Sequence, residues 1–208
     1  MPLPQSKLPD VGTTIFTVMS RKAEAHGAIN LSQGFPDFAL PAGLGEALAR
    51  HVAEGRNQYA PMAGVLALRE QIALKLGRCY GCRVDPEAEV TVVPGATEAI
   101  FCAIMATVRA GDEVILFDPS YDSYEPSVRL AGGRAVRIPL LPPAFAIDWQ
   151  RVAEALTPRT RMIVINSPHN PTGSVLGAAD LDRLEELVQE HGLLVLSDEV
   201  YEHLVYDG

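Results

Sequence analysis

Residues 161–201, RMIVINSPHNPTGSVLGAADLDRLEELVQEHGLLVLSDEVY, decide the fold. MIVI (162–165) and LLVL (193–196) are short, unbroken apolar runs. Between them, Ala178–Glu190 is amphipathic, with Leu181, Leu184 and Val188 on one helical face. A strand that is apolar at every position is buried on both faces, as in a parallel sheet whose helices cross over it. The same rhythm extends back along the chain. VTVV (90–93) reads as a strand and Thr97–Val108 as a buried helix. VILF (114–117) reads as a strand, Ser120–Leu130 as a helix, Ala135–Ile138 as a strand and Asp148–Leu156 as a short helix. This alternation predicts an α/β fold with three layers, a mostly parallel sheet between helices.

Upstream the rhythm is looser. The first thirty residues, with Pro2, Pro4, Pro9 and Gly12, read as an arm with a short helix. LSQGFPDFALP (31–41) is loop-like, punctuated by Gly34, Pro36 and Pro41. A helix is expected from about Gly43 to Glu54. Val65, Leu68, Ile72 and Leu76 mark another, which Gly77 or Gly81 can stop.

Composition narrows the function. Of 208 residues, 48% are hydrophobic and 21% charged, which excludes intrinsic disorder and predicts a substantial core. The 17 Lys and Arg against 26 Asp and Glu give a net charge of −9, without the basic stripe that nucleic acid requires. The acidity also argues against anionic membranes. The opening MPLPQSKLPD has no apolar signal core, and the apolar stretch Ala99–Val108 is too short to span a bilayer, so a cytoplasmic protein is expected. The three cysteines, Cys79, Cys82 and Cys102, do not suggest a disulfide framework. Cys79-x-x-Cys82 follows a helical pattern rather than opening one, unlike a redox pair, and no second ligand pair completes a zinc site; no metal is expected.

In open parallel sheets, ligands bind beyond the carboxyl ends of the strands. After VTVV come Pro94-Gly95-Ala96-Thr97, small residues at a helix start where free N–H groups and a hydroxyl suit a phosphate, or where Thr is simply a cap. After VILF comes Tyr121, which can stack on a flat ring or pack on its own turn. After MIVI come Asn166 and Asn170, whose amides can bond a ligand oxygen or serve turn chemistry. After LLVL comes Asp198, with Tyr201 three residues on. A carboxylate at a buried strand end needs a partner, and a protonated ring nitrogen is one; helix capping or metal binding are others. Together, a phosphate cradle, a ring stacker, an amide and a pyridine-nitrogen carboxylate match pyridoxal 5'-phosphate.

The motifs SQGFPDF, NQYAPMAGVLALRE, PGATEAI, DPSYDSY, NSPHNPTG and SDEVY occur here in order. On them the chain resembles the class I/II aminotransferases of the fold-type I pyridoxal-phosphate enzymes, and is most similar to their methionine and kynurenine branch. The resemblance implies that residues 1–46 are an arm and a share of a small domain, and that 47–208 belong to the cofactor-binding large domain. It implies that Gly95, Ala96 and Thr97 bind the cofactor phosphate, joined across a homodimer interface by Tyr59. It implies that Tyr121 stacks on the ring, that Asp198 pairs with its nitrogen, and that Asn170 and Tyr201 bond its phenolic oxygen. Gly34 and Asn170 would contact the substrate carboxylate.

The resemblance further implies ping-pong transamination through a Schiff base, between an amino acid, such as methionine or another large neutral one, and a 2-oxo acid. The family's Schiff-base lysine stands beyond the Asp in a Ser-x-Ser-Lys-type segment, and Lys7, Lys22 and Lys75 are not in one. The expectation is therefore an N-terminal half without its catalytic lysine, inactive alone, whose truncated sheet leaves an exposed edge and apolar faces open. A C–S lyase on the same scaffold, or a non-catalytic cofactor-binding fragment, are the alternatives. A nicotinamide-binding domain fits poorly, because no G-x-G-x-x-G follows a strand.

Overall fold

The structure, a computed structural model, describes residues 5–34, 36, 38–204 and 206. Phe35 and Asp37 of the SQGFPDF stretch lie outside the described residues. The chain forms two compact units, one of Thr13–Val93 and one of Met1–Gly12 with Pro94–Gly208. No helix among the described residues is long and apolar enough to cross a membrane.

The Thr13–Val93 unit carries three helices: α1 (Ile15–Ala25), α2 (Ala42–Ala53) and α3 (Leu66–Tyr80). Thr14 caps α1 by accepting the N–H of Thr17 at 3.3 Å, which satisfies one of the donors a helix start leaves open. Gly81 ends α3 in the left-handed conformation, φ 70°, and returns its N–H to the Gly77 carbonyl. Arg69 of α3 is buried and donates to the carbonyls of Val90 at 2.8 Å and Glu87 at 2.7 Å. That pair of bonds ties the segment after α3 back onto the helix.

The run VTVV (90–93), expected as a strand, joins no ladder among the described residues. The N–H of Val92 donates instead to the Ala63 carbonyl at 3.0 Å. Apolar patterning needs a partner strand before it becomes a strand, and among the described residues the contact with Ala63 extends into no ladder. Gly64 is required at this contact: its φ is +95°, and a Cβ there would stand 2.7 Å from the Val92 Cβ.

The other unit runs α4 (Ala96–Thr107), β1 (Glu113–Asp118), α5 (Tyr124–Leu130), β2 (Arg134–Pro139), α6 (Trp149–Ala155), β3 (Thr160–Asn166), α7 (Ala178–His191) and β4 (Leu194–Asp198). The four strands are all parallel, in the order β2-β1-β3-β4. Side chains alternate across β1 and β3 into two cores. Val114, Leu116, Met162 and Val164 face one way, onto Ile100, Ile104 and Val128 of α4 and α5. Ile115, Phe117, Ile163 and Ile165 face the other, onto Val152, Leu184 and Leu187 of α6 and α7. Two buried faces explain why VILF and MIVI are apolar throughout, and this unit is the expected three-layer α/β fold.

Four details differ from the sequence expectation. The helix expected over 97–108 is buried on one side only, and Phe101 and Met105 on its other side are exposed. The helix expected over 120–130 begins at Tyr124. Pro126 sets that start, because proline is tolerated in a first turn but not further in, where its ring would clash with the carbonyl four residues back. On α7, Leu187 packs in the core beside Leu184, while Leu181 stays exposed. In β4, which edges the sheet, Leu194 and Val195 are exposed, so LLVL is not buried on both faces.

Candidate cofactor site

The chain runs from β1 to β2 on one side of β1 and then returns to β3 on the other, so the connections reverse direction between β1 and β3. Ligands settle outside the carboxyl ends of the strands at such a reversal. The residues at and following the ends of β1, β3 and β4, together with the start of α4, include all the site residues singled out from the sequence except Gly34 and Tyr59.

Asp198 closes β4 and is 9% exposed. Its Oδ2 accepts the phenol of Tyr124 at 2.6 Å, and its Oδ1 accepts the N–H of Val200 at 3.2 Å. Its carbonyl accepts the side-chain amide of Asn166 at 2.8 Å. Asn166, opposite Asp198 in the register of β3 and β4, accepts in turn the N–H of Asn170 at 2.7 Å. One buried amide thus connects the Asn170 loop to the strand that presents the carboxylate. Asn166 commits its amide to this bracing, whereas the sequence equally allowed a ligand contact.

Gly95 precedes α4 with φ 93°, a conformation L side chains rarely adopt, and apart from its chain neighbours no described atom lies within 4 Å of where its Cβ would be. The backbone therefore stands open where the first N–H groups of α4, those without intrahelical acceptors, concentrate partial positive charge. Thr97, in this first turn, has its hydroxyl 3.3 Å from that of Tyr121. The Tyr121 ring meets Tyr124 edge-to-face, with centroids 5.8 Å apart and planes at 73°. Burial, and then the neighbouring Asp198, push the Tyr124 hydroxyl far above the usual phenol range, with smaller contributions from Tyr121 and Tyr201. Ala96 and Asp198 share the lining of a cleft of about 390 Å³.

Gly95, Ala96, Thr97, Tyr121, Asn170, Asp198 and Tyr201 accordingly all belong to the unit built on the sheet. Gly34 and Tyr59 belong to the other unit, where Tyr59 is fully exposed. His169 bonds Thr172 at 2.8 Å and braces its loop, and its burial lowers the imidazole's proton affinity and favours the neutral form. Cys79, Cys82 and Cys102 are exposed and unbridged. The donor set fits a phosphorylated pyridine: N–H groups and a hydroxyl for the phosphate, an aromatic ring nearby, and a buried carboxylate for the ring nitrogen.

The sequence does not single out Tyr124. It is the second tyrosine of DPSYDSY, and nothing local separates it from Tyr121. The available signal is general: a buried tyrosine finds a hydrogen-bond partner, and here that partner is 74 residues away.

Residues 26–208 match the family model of aminotransferase class I and II. The chain is 57% identical over 202 residues to the methionine aminotransferase of Escherichia coli (strain K12), covering 97% of this chain and 52% of that protein. It is 48% identical over 204 residues to a probable N-succinyldiaminopimelate aminotransferase of Mycobacterium tuberculosis, covering 97% and 51%. Among solved structures, Escherichia coli YbdL, described as having a methionine aminotransferase function, superposes with a TM-score of 0.94 at 57% identity over 98% of this chain and 53% of that one. Thermus thermophilus aspartate aminotransferase with maleate gives 0.92 at 39% identity, over 100% and 56%. The chain spans about half the length of the curated relatives it matches.

Proposed function

The chain belongs to the class I and II aminotransferases, a pyridoxal-phosphate-dependent family, and from that membership we propose that the whole protein is a cytoplasmic, homodimeric aminotransferase. It moves an amino group from an amino acid, methionine or another large neutral one, to a 2-oxo acid. The observation that carries this reading is the buried Asp198 carboxylate, braced by Tyr124 and Asn166 in the unit that also holds the open start of α4. The relatives named for methionine support the choice of substrate.

When bound, the cofactor supplies a carbonyl carbon that condenses with amino groups and a ring that accepts the electron pair released at the substrate's α-carbon. The residues of this chain do the rest. The N–H groups at Ala96 and Thr97 and the Thr97 hydroxyl bind the phosphate. Tyr121 covers one face of the ring and keeps water from it. Asp198 holds a proton on the ring nitrogen, which keeps that ring electron-withdrawing. Asn170 and Tyr201 bond the phenolic oxygen, and Asn170 with Gly34 orients the substrate carboxylate. Tyr59 reaches the phosphate held by the partner subunit. Residues 1–46 serve as the arm and part of the small domain, and 47–208 as the cofactor-binding large domain. The Schiff-base lysine is outside residues 1–208, because Lys7, Lys22 and Lys75 lie in no Ser-x-Ser-Lys context.

Borohydride reduction of the protein from its native source, followed by intact mass, tests the reading. The expected product is heavier than 22.4 kDa and carries a pyridoxyl group on a lysine beyond Gly208. A reduced protein without an adduct would overturn the cofactor assignment. Pyruvate formed from an S-conjugated cysteine with no 2-oxo acid added would instead identify a C–S lyase.

A further inference from the structure

The Tyr124 hydroxyl has no part in the chemistry described so far, yet its position is tightly determined. Tyr124 is 3% exposed and opens α5, where Val128 one turn on anchors the helix in the core. Its bond to Asp198 Oδ2, at 2.6 Å, falls in the range of charge-assisted O–H···O⁻ contacts, which are about twice as strong as neutral ones. The phenol stays a donor, since burial and the adjacent carboxylate both oppose its ionisation. The terminal torsion of an aspartate is otherwise soft. Here the turn after β4 engages Oδ1 through Val200, and α5 engages Oδ2 through Tyr124. Asn166 holds the backbone of the same residue. The carboxylate plane is thereby set before any ligand arrives. The edge of the Tyr124–Tyr121 ring pair ties the same phenol to the residue assigned to cover the ring.

We propose that Tyr124 is a positioning residue for the cofactor's ring nitrogen: its hydroxyl fixes the Asp198 carboxylate and draws charge onto one oxygen, which sets how far the ring proton is shared with Asp198. This rests on the cofactor reading above. Without the donor, the full carboxylate charge faces the ring nitrogen and pulls the shared proton toward Asp198. With a stronger donor, the proton retreats onto the ring.

The full-length protein, loaded with pyridoxal phosphate labelled with nitrogen-15 in the ring, provides the test. Tyr124→Phe keeps the buried ring and removes one hydroxyl. It is expected to shift the ring nitrogen resonance toward the value of an unprotonated pyridine. Replacing Tyr124 with 3-fluorotyrosine, which keeps the shape and strengthens the donor, is expected to shift it the opposite way. This second variant also serves if Tyr124→Phe does not fold. Opposite shifts support the proposal, because a purely structural loss would not change sign with donor strength. An unmoved resonance in a folded, cofactor-bearing 3-fluorotyrosine protein would overturn it while leaving the cofactor reading intact. A parent protein that takes up no pyridoxal phosphate would overturn both.

Discussion

Glu113 opens β1 with no exposed side-chain surface, and a lone carboxylate there would be strongly destabilising. It is not alone. Its Oε1 accepts from Arg134 and Arg159, both at 2.7 Å, and its Oε2 from Thr157 at 2.8 Å. Arg134 first, then Thr157 and Arg159, hold the carboxyl at about 2, outweighing a burial that would raise it from 4.5. A depressed folded-state value means that the stabilisation is complete above about 4.5 and is lost as the pH falls toward 2. In the full-length protein, Glu113→Gln is therefore expected to lower the urea midpoint at pH 7. Its deficit relative to the parent should narrow when the titration is repeated near pH 3. A deficit that stayed constant across that window would show that the arginines contribute through packing rather than charge. Asp198 presents the opposite arrangement. Its hydrogen-bond partners are uncharged: the phenol, the Val200 N–H and the bracing amide. The two acidic residues bracket the sheet, one ion-paired for stability at its amino end, the other braced at its carboxyl end and left able to accept a positive group. Its place just after an apolar run marks Asp198 in the sequence, but Arg134, Arg159 and Thr157 on Glu113, and Tyr124 and Asn166 on Asp198, come from other elements and are not written locally.

Among the elements, α3 and the segment 84–93 show how a helix can be fixed by the chain on its C-terminal side. Arg69 satisfies two carbonyls of a segment that belongs to no ladder among the described residues. Arg69→Ala removes both bonds and leaves the carbonyl of buried Val90 unpaired, at a cost of about 1–3 kcal/mol. The expected result is a lower denaturation midpoint with an unchanged denaturant slope. A change below about 0.5 kcal/mol, the spread of ordinary surface substitutions, would mean that the segment holds its place without the arginine. Element identity itself was largely legible. Continuous apolar runs located β1, β3 and β4, helical spacing located α3 and α7, and the strand expected over 135–138 and the helices expected over 43–54 and 148–156 formed as β2, α2 and α6. Element boundaries followed local stereochemistry where it was strong, as at Pro126 for α5 and Gly81 for α3. VTVV is the exception, because the existence of a strand is decided by its neighbour, which its own residues do not encode.

At the scale of the molecule, β4 ends the described sheet with Leu194 and Val195 exposed, and α4 exposes Phe101 and Met105. An open parallel edge with apolar flanks is a template for association. The 208-residue chain expressed by itself is expected to scatter light increasingly with concentration, with fast amide exchange in Leu194–Asp198. A monodisperse chain with full protection in that strand would refute this. Sequence alone determined the α/β class, the order of the elements and the family, because those are written in patterns a few residues long: runs of apolar residues, turn residues, and motifs in series. It also located the candidate functional residues, since a parallel sheet places its ligands after its strands. The tertiary structure alone decided how these residues are braced. Tyr124 reaches Asp198 across 74 positions, and Asn166 turns from a potential ligand contact into a tie between β3 and β4. Such pairings depend on which strands lie side by side and which helix covers them. A carboxylate becomes a ring-nitrogen partner only through the charges and donors that folding brings around it.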